Sequence, residues 1–168
     1  ETNQVQCLNT YSISKYSGEQ LCEMYYHLYG LQTVMFRYFN VYGEGCHKSG
    51  QYAPVMSIFK KQKDNKEPLT VVEPGYQTRD FVHVSDVVYA NILATQRDLE
   101  EYGQVFNIGT GEGIEIQTIA DLISDYQITI PQRSGEVMHS TANIDKVKNI
   151  LGWKWSVKVI EWVKKNLK

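Results

Sequence analysis

Stretches with the residue spacing of helices alternate along this chain with short runs of β-branched and aromatic residues. Residues 11–29 carry apolar side chains at helical spacing and are followed by Gly30, a common residue just after a helix. Residues 33–38 read TVMFRY, which predicts a strand, and their largely apolar character is typical of a parallel sheet buried on both faces. The alternation therefore predicts the α/β fold class.

The same two patterns continue towards the C-terminus. Apolar periodicity predicts further helices over residues 54–63, 86–99, 118–126, 145–151 and 157–167. Short apolar runs predict extended segments at residues 69–72, 81–84 and 105–108. Residues 41–50 contain three glycines and are expected to form a loop. Ser85 is the expected N-cap of the helix that begins at Asp86.

The composition is that of an ordinary globular protein. Hydrophobic residues make up 42% and charged residues 21% of the 168 positions. A formal net charge of −2 and a pI near 6.1 give no general attraction to nucleic acid or to an anionic membrane surface. No apolar run reaches the roughly 18 residues that a membrane-spanning helix needs. We therefore expect neither nucleic acid nor a membrane among its partners.

The cysteines and histidines predict neither disulfides nor a metal site. Cys7, Cys22 and Cys46 are odd in number and lack CxxC spacing, which favours a reduced, cytoplasmic compartment. Cys46 and His47 are neighbours in sequence, whereas zinc ligands are usually separated by two or more residues. We expect three thiols at mostly buried positions and no bound metal.

Tyr11 and Lys15 are candidates for catalysis because they stand four residues apart in the first predicted helix. This spacing places both side chains on one face of the helix. An ammonium close to a phenol favours the phenolate form, and a phenolate is a base that can take a proton near neutral pH. With 12 tyrosines in the chain, about one YxxxK spacing is expected by chance, so the pair alone does not establish a site.

Tyr11 and Lys15 open an ordered series of short motifs. The series consists of YSISK (11–15), RYFNVYG (37–43), QYAP (51–54), RDFVHV (79–84), FNIGTG (106–111), RSGE (133–136) and LGW (151–153). In this order the motifs resemble the NAD-dependent nucleotide-sugar epimerase/dehydratase family of extended short-chain dehydrogenases, and most closely its UDP-glucose 4-epimerase branch. The resemblance covers essentially the whole chain, and the ordered set is far more specific than any one motif.

The resemblance implies a role for ten residues. Tyr11 would be the catalytic base and would contact NAD, and Lys15 would hold the nicotinamide ribose and tune Tyr11. Tyr38 and Phe39 would lie beside the nicotinamide. The expected substrate contacts are Asn40, Arg79 and Arg133 at the diphosphate, Thr70 and Val72 beside the nucleobase, and Glu136 at a ribose hydroxyl. Elementary chemistry agrees, because guanidinium groups match phosphate oxygens in pairs and a carboxylate accepts hydrogen bonds from a diol.

The resemblance also implies how the chain is divided. It predicts the end of a Rossmann-like parallel sheet joined to a smaller α/β substrate-binding domain. Residues 1–45 would be the last part of the NAD-binding domain and residues 46–168 the nucleotide-sugar domain, with residues 81–110 returning to the Rossmann sheet. Family members carry a glycine-rich dinucleotide-binding half and a catalytic serine or threonine before the tyrosine. Neither is present here, so we expect a fragment that does not turn over by itself.

A glycine-rich stretch, GTGEG at residues 109–113, follows a predicted strand and precedes a predicted helix. Glycines in that context can cradle a pyrophosphate. However, the spacing is GxGxG rather than GxGxxG, and no acidic residue closes a following strand as the dinucleotide fingerprint requires. In the family this stretch is a structural turn, and we expect no cofactor phosphate there.

The expected function of the parent protein is that of a nucleotide-sugar 4-epimerase of the UDP-glucose or UDP-N-acetylglucosamine type. Such an enzyme interconverts C4 epimers by a transient, NAD-dependent oxidation. Nucleotide-sugar 4,6-dehydratases and decarboxylases share the first oxidation and remain alternatives within the family. A non-catalytic nucleotide-sugar-binding module is the alternative from another class.

We also expect a homo-oligomer. In the family the helix that bears the YxxxK pair packs at the dimer interface, and the strand at residues 33–38 would be an uncovered edge in this chain. Exposed apolar surface and open strand edges are commonly buried by association.

Overall fold

A computed structural model of the chain describes residues 1, 5–7, 9–46, 53–132 and 136–167. The helices in this part of the chain are α1 (Thr10–Tyr29), α2 (Val55–Asp64), α3 (Val84–Gln96), α4 (Ile116–Ile123), α5 (Asp145–Leu151) and α6 (Val159–Asn166). The strands are β1 (Val34–Tyr38), β2 (Asn40–Tyr42), β3 (Leu69–Val72), β4 (Thr78–His83), β5 (Gln104–Ile108), β6 (Gly113–Glu115), β7 (Gln127–Ile130) and β8 (His139–Ser140).

Parallel strand pairs dominate the sheets. β1 pairs with β5, β2 with β4, and β3 with β7, each in parallel orientation. β4 has two further neighbours. β6 pairs with it in antiparallel orientation, and β8 makes a short parallel contact with it. Parallel neighbours need a crossover connection, and helices supply it here. The predicted α/β class is confirmed.

One hydrophobic core lies beneath α2, α4 and α6. Its centre is formed by fully buried side chains of the helices and of β3, including Phe59, Leu69, Ile119 and Val163. Burial of a large apolar side chain stabilises the fold by about 1.5–3 kcal/mol. Four apolar residues of α4 are buried in this core, namely Ile116, Ile119, Ala120 and Ile123. The core therefore holds β3 and its partner β7 in place.

A second hydrophobic core lies around β5. It contains Phe106 and Ile108 from that strand, Ala90 from α3, and Leu151 and Trp153 from the C-terminal segment, all fully buried. The indole Nε1 of Trp153 donates a hydrogen bond to the backbone oxygen of Asp86 at 2.9 Å. This bond satisfies the one polar group of the indole inside the core.

Helix α1 differs from the other helices because none of its residues is buried. It begins with a capping box, in which the Asn9 side chain accepts from the Ser12 backbone and the Ser12 side chain accepts from the Asn9 backbone. It ends at Gly30, whose φ of 67° favours glycine. The guanidinium of Arg37 on β1 donates two hydrogen bonds to Glu19, at 2.6 and 2.8 Å, and so ties α1 to the sheet.

Several details of the sequence-based elements were wrong. The helix expected over residues 118–126 runs over Ile116–Ile123, and residues 127–130, for which no element was expected, form β7 because they pair with β3. Part of the expected loop at residues 41–50 is strand, since β2 extends to Tyr42 and pairs with β4. The N-cap of α3 is His83 rather than Ser85, and the His83 ring nitrogen accepts from the Ser85 backbone at 3.2 Å.

Among the helices described, none has both the length and the apolar character needed to cross a membrane. The same part of the chain holds no group of three or more His, Cys, Asp or Glu side chains placed to bind a metal ion. His47, which the sequence sets beside Cys46, lies outside the described residues.

Candidate functional site

A cavity of about 620 Å³ lies between α1, β3 and β4, and we call it the central cavity. Its volume falls in the range of sites that hold a small molecule, roughly 300–1,000 Å³. Eight of the ten predicted site residues line it: Tyr11, Tyr38, Phe39, Asn40, Thr70, Val72, Arg79 and Glu136. Lys15 is not among the lining residues, and Arg133 lies outside the described residues.

Tyr11 lines one end of the central cavity, and Lys15 stands beside it on the same helix. The Lys15 ammonium nitrogen is 5.4 Å from the centre of the Tyr11 ring, as the four-residue spacing on one helical face predicts. Both side chains come from the first two turns of α1, directly after its capping box. Tyr11 is about half exposed, at 49%, so its ring is open to a ligand.

Tyr38, Phe39 and Asn40 reach the cavity from the junction of β1 and β2. The Phe39 backbone donates to Ile108 at 2.9 Å and thereby holds the junction against β5. The Asn40 amide nitrogen donates to the backbone oxygen of Asp80 at 3.0 Å. An amide nitrogen carries two protons, so its second proton is available for an oxygen of a ligand.

The edge of β3 that faces away from β7 supplies Thr70 and Val72. Leu69 and Glu73 donate their backbone N–H groups towards β7, so the intervening residues Thr70 and Val72 turn theirs to the other side. Gln62 on α2 accepts from the Thr70 backbone at 3.1 Å and donates to its hydroxyl at 2.8 Å. Because this hydroxyl accepts from Gln62, its own proton can be donated elsewhere.

Arg79 and Glu136 form an ion pair in the cavity wall. The guanidinium donates through Nη2 to Glu136 Oε1, and through Nη1 to the backbone oxygen of Thr78 at 2.9 Å. The two side chains are only 16% and 17% exposed, so the pair is largely shielded from water. A guanidinium has five N–H donors, and those not used by Glu136 and Thr78 can serve an anionic ligand.

The family model of the NAD dependent epimerase/dehydratase family matches residues 1–109.

The chain belongs to the NAD-dependent epimerase/dehydratase family.

Individual members of the NAD-dependent epimerase/dehydratase family align with 77% to 99% of this chain in the two cases that follow. It is 36% identical to a putative UDP-glucose 4-epimerase of Methanocaldococcus jannaschii, over 99% of this chain and 57% of that protein. It is 37% identical over 130 residues to a UDP-N-acetyl-alpha-D-glucosaminuronate decarboxylase of Bacillus cytotoxicus, covering 77% and 38% of the two chains. The chain thus spans roughly half the length, or less, of these relatives.

A solved family structure shares the fold. The crystal structure of UDP-glucose 4-epimerase with UDP-glucose from Thermotoga maritima superimposes with a TM-score of 0.84 at 36% identity. The match covers 94% of this chain and 52% of that one. The predicted extended short-chain dehydrogenase fold is confirmed by this likeness.

The family cofactor, NAD, suits one end of the central cavity. Tyr11 lines this end, and Tyr38 and Phe39 bring to it the carboxyl end of a parallel strand, which is where α/β sheets bind their ligands. The Lys15 ammonium lies beside Tyr11, outside the lining. These groups fit the nicotinamide and its ribose. They supply no cradle for the cofactor diphosphate, and the glycine-rich turn at residues 109–111 is occupied by the protein itself.

That occupation comes from Asp80, which lies in the RDFVHV motif but was given no role there. Its fully buried carboxylate accepts from the backbone N–H groups of Thr110, Gly111 and Ala142 at 2.7, 2.9 and 3.0 Å. A Cβ atom at Gly109 would stand 2.7 Å from the same carboxylate, which explains the glycine. The turn therefore binds an internal anion with the groups that a phosphate loop would use.

Tyr42 closes the wall between the central cavity and α6. It is 2% exposed, and its hydroxyl donates to the backbone oxygen of Val157 at 3.2 Å. Burial raises the pKa of Tyr42 above its usual range, and the carboxylates of Asp86 and Glu44 act in the same direction. The phenol is thus a neutral structural donor rather than a second base.

Proposed function

We propose that this chain forms the substrate-binding part of a nucleotide-sugar 4-epimerase of the UDP-glucose or UDP-N-acetylglucosamine type. The observation that carries the proposal is the meeting of eight predicted site residues in one cavity. They come from positions 11 to 136 and from several separate elements. Two of the three relatives named above are a putative UDP-glucose 4-epimerase and a UDP-glucose 4-epimerase, and the chain covers 57% and 52% of their lengths.

The proposed chemistry begins with a proton. Tyr11 takes the proton of the sugar C4 hydroxyl at its phenolic oxygen, and the Lys15 ammonium lies 5.4 Å from the centre of its ring. NAD, when bound beside Tyr38 and Phe39, would supply the reversible hydride chemistry at C4. The same proton then returns from Tyr11 to the sugar oxygen.

The remaining residues anchor the nucleotide while the sugar turns. Asn40 and Arg79 hold the diphosphate, together with Arg133, and Glu136 accepts from a ribose hydroxyl. The edge of β3 at Thr70 and Val72 meets the nucleobase, for which uracil is proposed. Anchoring one end of the substrate places C4 beside Tyr11 repeatedly and so lowers the entropic part of the barrier.

Calorimetric titration of the 168-residue chain with UDP and UDP-glucose tests the anchor. We expect micromolar binding of both, weakened about tenfold or more in Arg79→Lys, because a lysine cannot reproduce the paired donors of a guanidinium. Arg97→Lys is the matched control, since Arg97 lies outside the central cavity. Absence of any nucleotide binding would remove the proposal for this chain.

Two alternatives remain. The first is a 4,6-dehydratase or a decarboxylase, and the sequence identity to the Bacillus cytotoxicus decarboxylase supports it. A non-catalytic nucleotide-sugar-binding module is the alternative without chemistry. Incubation of the longest open reading frame containing this chain with NAD and UDP-sugars, followed by product analysis, separates them. A C4 epimer supports the epimerase, a 4-keto-6-deoxy sugar or carbon dioxide the first alternative, and binding without product the module.

We propose the domain division drawn from the sequence, with residues 1–45 and 81–110 in the NAD-binding part and the rest of 46–168 in the substrate part. The core around β5 supports it for residues 81–110, since Val82, Phe106 and Ile108 lie there. The cores do not follow the division throughout, because Tyr42 and Phe81 belong to the core beneath α2, α4 and α6, and residues 142–153 belong to the core around β5. Limited proteolysis should cleave first near the boundaries of these ranges. Early cleavage inside the ranges would contradict the division.

We propose that the chain forms a homo-oligomer through α1 in the cytoplasm. Ile13, Leu21 and Leu28 are 53–65% exposed on one face of that helix, an apolar stripe suited to association. Cys7, Cys22 and Cys46 are free thiols, which suits a reducing compartment. Light scattering at tens of micromolar protein should give a mass that is a multiple of the chain mass. The Leu28→Glu variant should give a lower mass. A monomeric mass for the unaltered chain contradicts the oligomer, and recovery in a membrane or secreted fraction contradicts the location.

A further inference from the structure

Gln77 is a buried polar residue in the wall of the central cavity to which no role has been given so far. It precedes β4, two residues before Arg79, and it is only 2% exposed. Side chains alternate along an extended segment, so Gln77 and Arg79 lie on the same side of it. Both line the central cavity, in agreement with that rule.

The orientation of the Gln77 amide is set by β3. Its nitrogen donates to the backbone oxygen of Val72 at 3.0 Å, and an amide turned the other way would place two oxygens against each other. The backbone oxygen of Gln77 accepts from Ile116 at 3.1 Å, which holds the residue from the opposite direction. The side-chain oxygen, Oε1, is therefore the acceptor of Gln77 whose hydrogen bond is still to be accounted for.

Gln77 Oε1 is buried and has no hydrogen-bond partner within the described part of the chain. Buried acceptors in folded proteins are nearly always paired, because burial removes their bonds to water. An unpaired acceptor in the wall of a binding cavity is a place where a ligand can supply the missing donor.

The position of Gln77 identifies the part of the ligand that it would meet. It is bound to Val72, on the strand edge proposed for the nucleobase, and it neighbours Arg79, proposed for the diphosphate. Between base and diphosphate lies the ribose, so the donors of the nucleoside near Gln77 are the N–H of the base and the hydroxyls of the ribose.

We propose that Gln77 Oε1 accepts a hydrogen bond from the nucleoside of the substrate, which makes Gln77 a specificity-determining residue. The inference rests on the proposed nucleotide-sugar site. A site that pairs a buried acceptor with a ligand donor rejects analogues that lack the donor, since the acceptor is then left unpaired. Gln77 therefore selects among nucleotides rather than merely adding affinity.

The test is a titration of three nucleotides against the 168-residue chain and its variants. UDP, CDP and 2′-deoxy-UDP differ at base position 3, where CDP lacks the N–H, and at the ribose 2′-hydroxyl. Gln77→Met removes the acceptor at similar length. Gln117→Met is the matched control, because Gln117 does not line the cavity and its amide is paired with Asp121 and Gln127.

We expect the unaltered chain to prefer UDP over at least one analogue by tenfold or more, and Gln77→Met to bring that ratio close to one. Gln117→Met should leave the ratio within threefold of its original value. Collapse of the UDP to CDP ratio assigns the donor to the base, and collapse of the UDP to 2′-deoxy-UDP ratio assigns it to the ribose.

Unchanged ratios in Gln77→Met overturn the inference, even if all three nucleotides bind more weakly, because a purely structural role lowers every affinity alike. In that case UDP binding by the unaltered chain still stands, and with it the proposed function. Failure of every nucleotide to bind the unaltered chain overturns both. If Gln77→Met does not fold, Gln77→Asn, which withdraws the acceptor by one methylene, replaces it.

Discussion

At the scale of single residues, the buried carboxylate of Asp80 helps to position the wall of the central cavity. The Asp80 carboxylate accepts four hydrogen bonds from three residues, Thr110, Gly111 and Ala142. A buried charge is tolerated when its bonds are satisfied in this way. Since Arg79 precedes Asp80 directly, the bonds to Asp80 also fix the backbone from which the Arg79 guanidinium reaches Glu136.

Tyr42 gives a pH prediction at the same scale. Its raised pKa means that the folded protein keeps the phenol protonated, whereas in the unfolded chain the phenol ionises near pH 10. The stability that Tyr42 contributes is therefore present below about pH 10 and is lost as the pH rises further. Urea unfolding between pH 9 and 11 should show a smaller loss of stability in Tyr42→Phe than in the unaltered chain. Equal losses in both proteins would contradict this.

At the scale of elements, the substrate-side core is held by contacts between helix ends. Lys63 on α2 donates its ammonium protons to the backbone oxygens of Ile123 and Leu167, at 3.1 and 2.9 Å. These oxygens lie at the C-terminal ends of α4 and α6, where carbonyl groups lack helical partners and the helix dipole favours a positive charge. One lysine thus joins three helices.

Replacement of Lys63 by methionine should lower the free energy of unfolding by about 1–2 kcal/mol, the amount typical of hydrogen bonds to a charged group. Lys61→Met, on the exposed side of α2, should change it by less than about 0.5 kcal/mol. Urea denaturation of the two variants makes the comparison. A loss of stability that is equal at both positions would show that Lys63 does not bridge the helix ends.

At the scale of the whole molecule, the two ends of the site differ in how firmly they are held. Residues on α2, β3 and α4 pack into a closed core, whereas α1 buries no residue and is tied to β1 by Glu19 and Arg37. Within the described residues β1 pairs with β5 alone. The end that carries Tyr11 and Lys15 is therefore the less stable one, because few apolar contacts oppose its opening.

Hydrogen exchange should reveal this difference. At low micromolar concentration we expect amides of α1 to exchange at least about a hundredfold faster than amides of α4, since local opening governs exchange. The difference should narrow at higher concentration if association covers the apolar face of α1. Equal protection of the two helices in dilute solution would mean that α1 is held by contacts other than those described.

Much of the fold was predictable because its signals are local. Helix α1 is set by its apolar spacing and by Gly30, and β1 by the run of β-branched and aromatic residues that precedes Tyr38. The segment Gln127–Ile130 was not predictable, because it becomes a strand only through pairing with β3. A single short run carries no information on which partner strand will be available.

The sequence by itself determined the family, because ordered motifs identify a member without any knowledge of contacts. It also determined that Tyr11 and Lys15 share one helical face, a consequence of the helix repeat. Only the tertiary structure decided that Asp80 fills the turn at Thr110, that Arg79 pairs with Glu136, and that Gln77 keeps an unpaired oxygen. The first two contacts join residues 30 and 57 positions apart. Local spacing cannot encode such contacts, since they depend on how the whole chain packs.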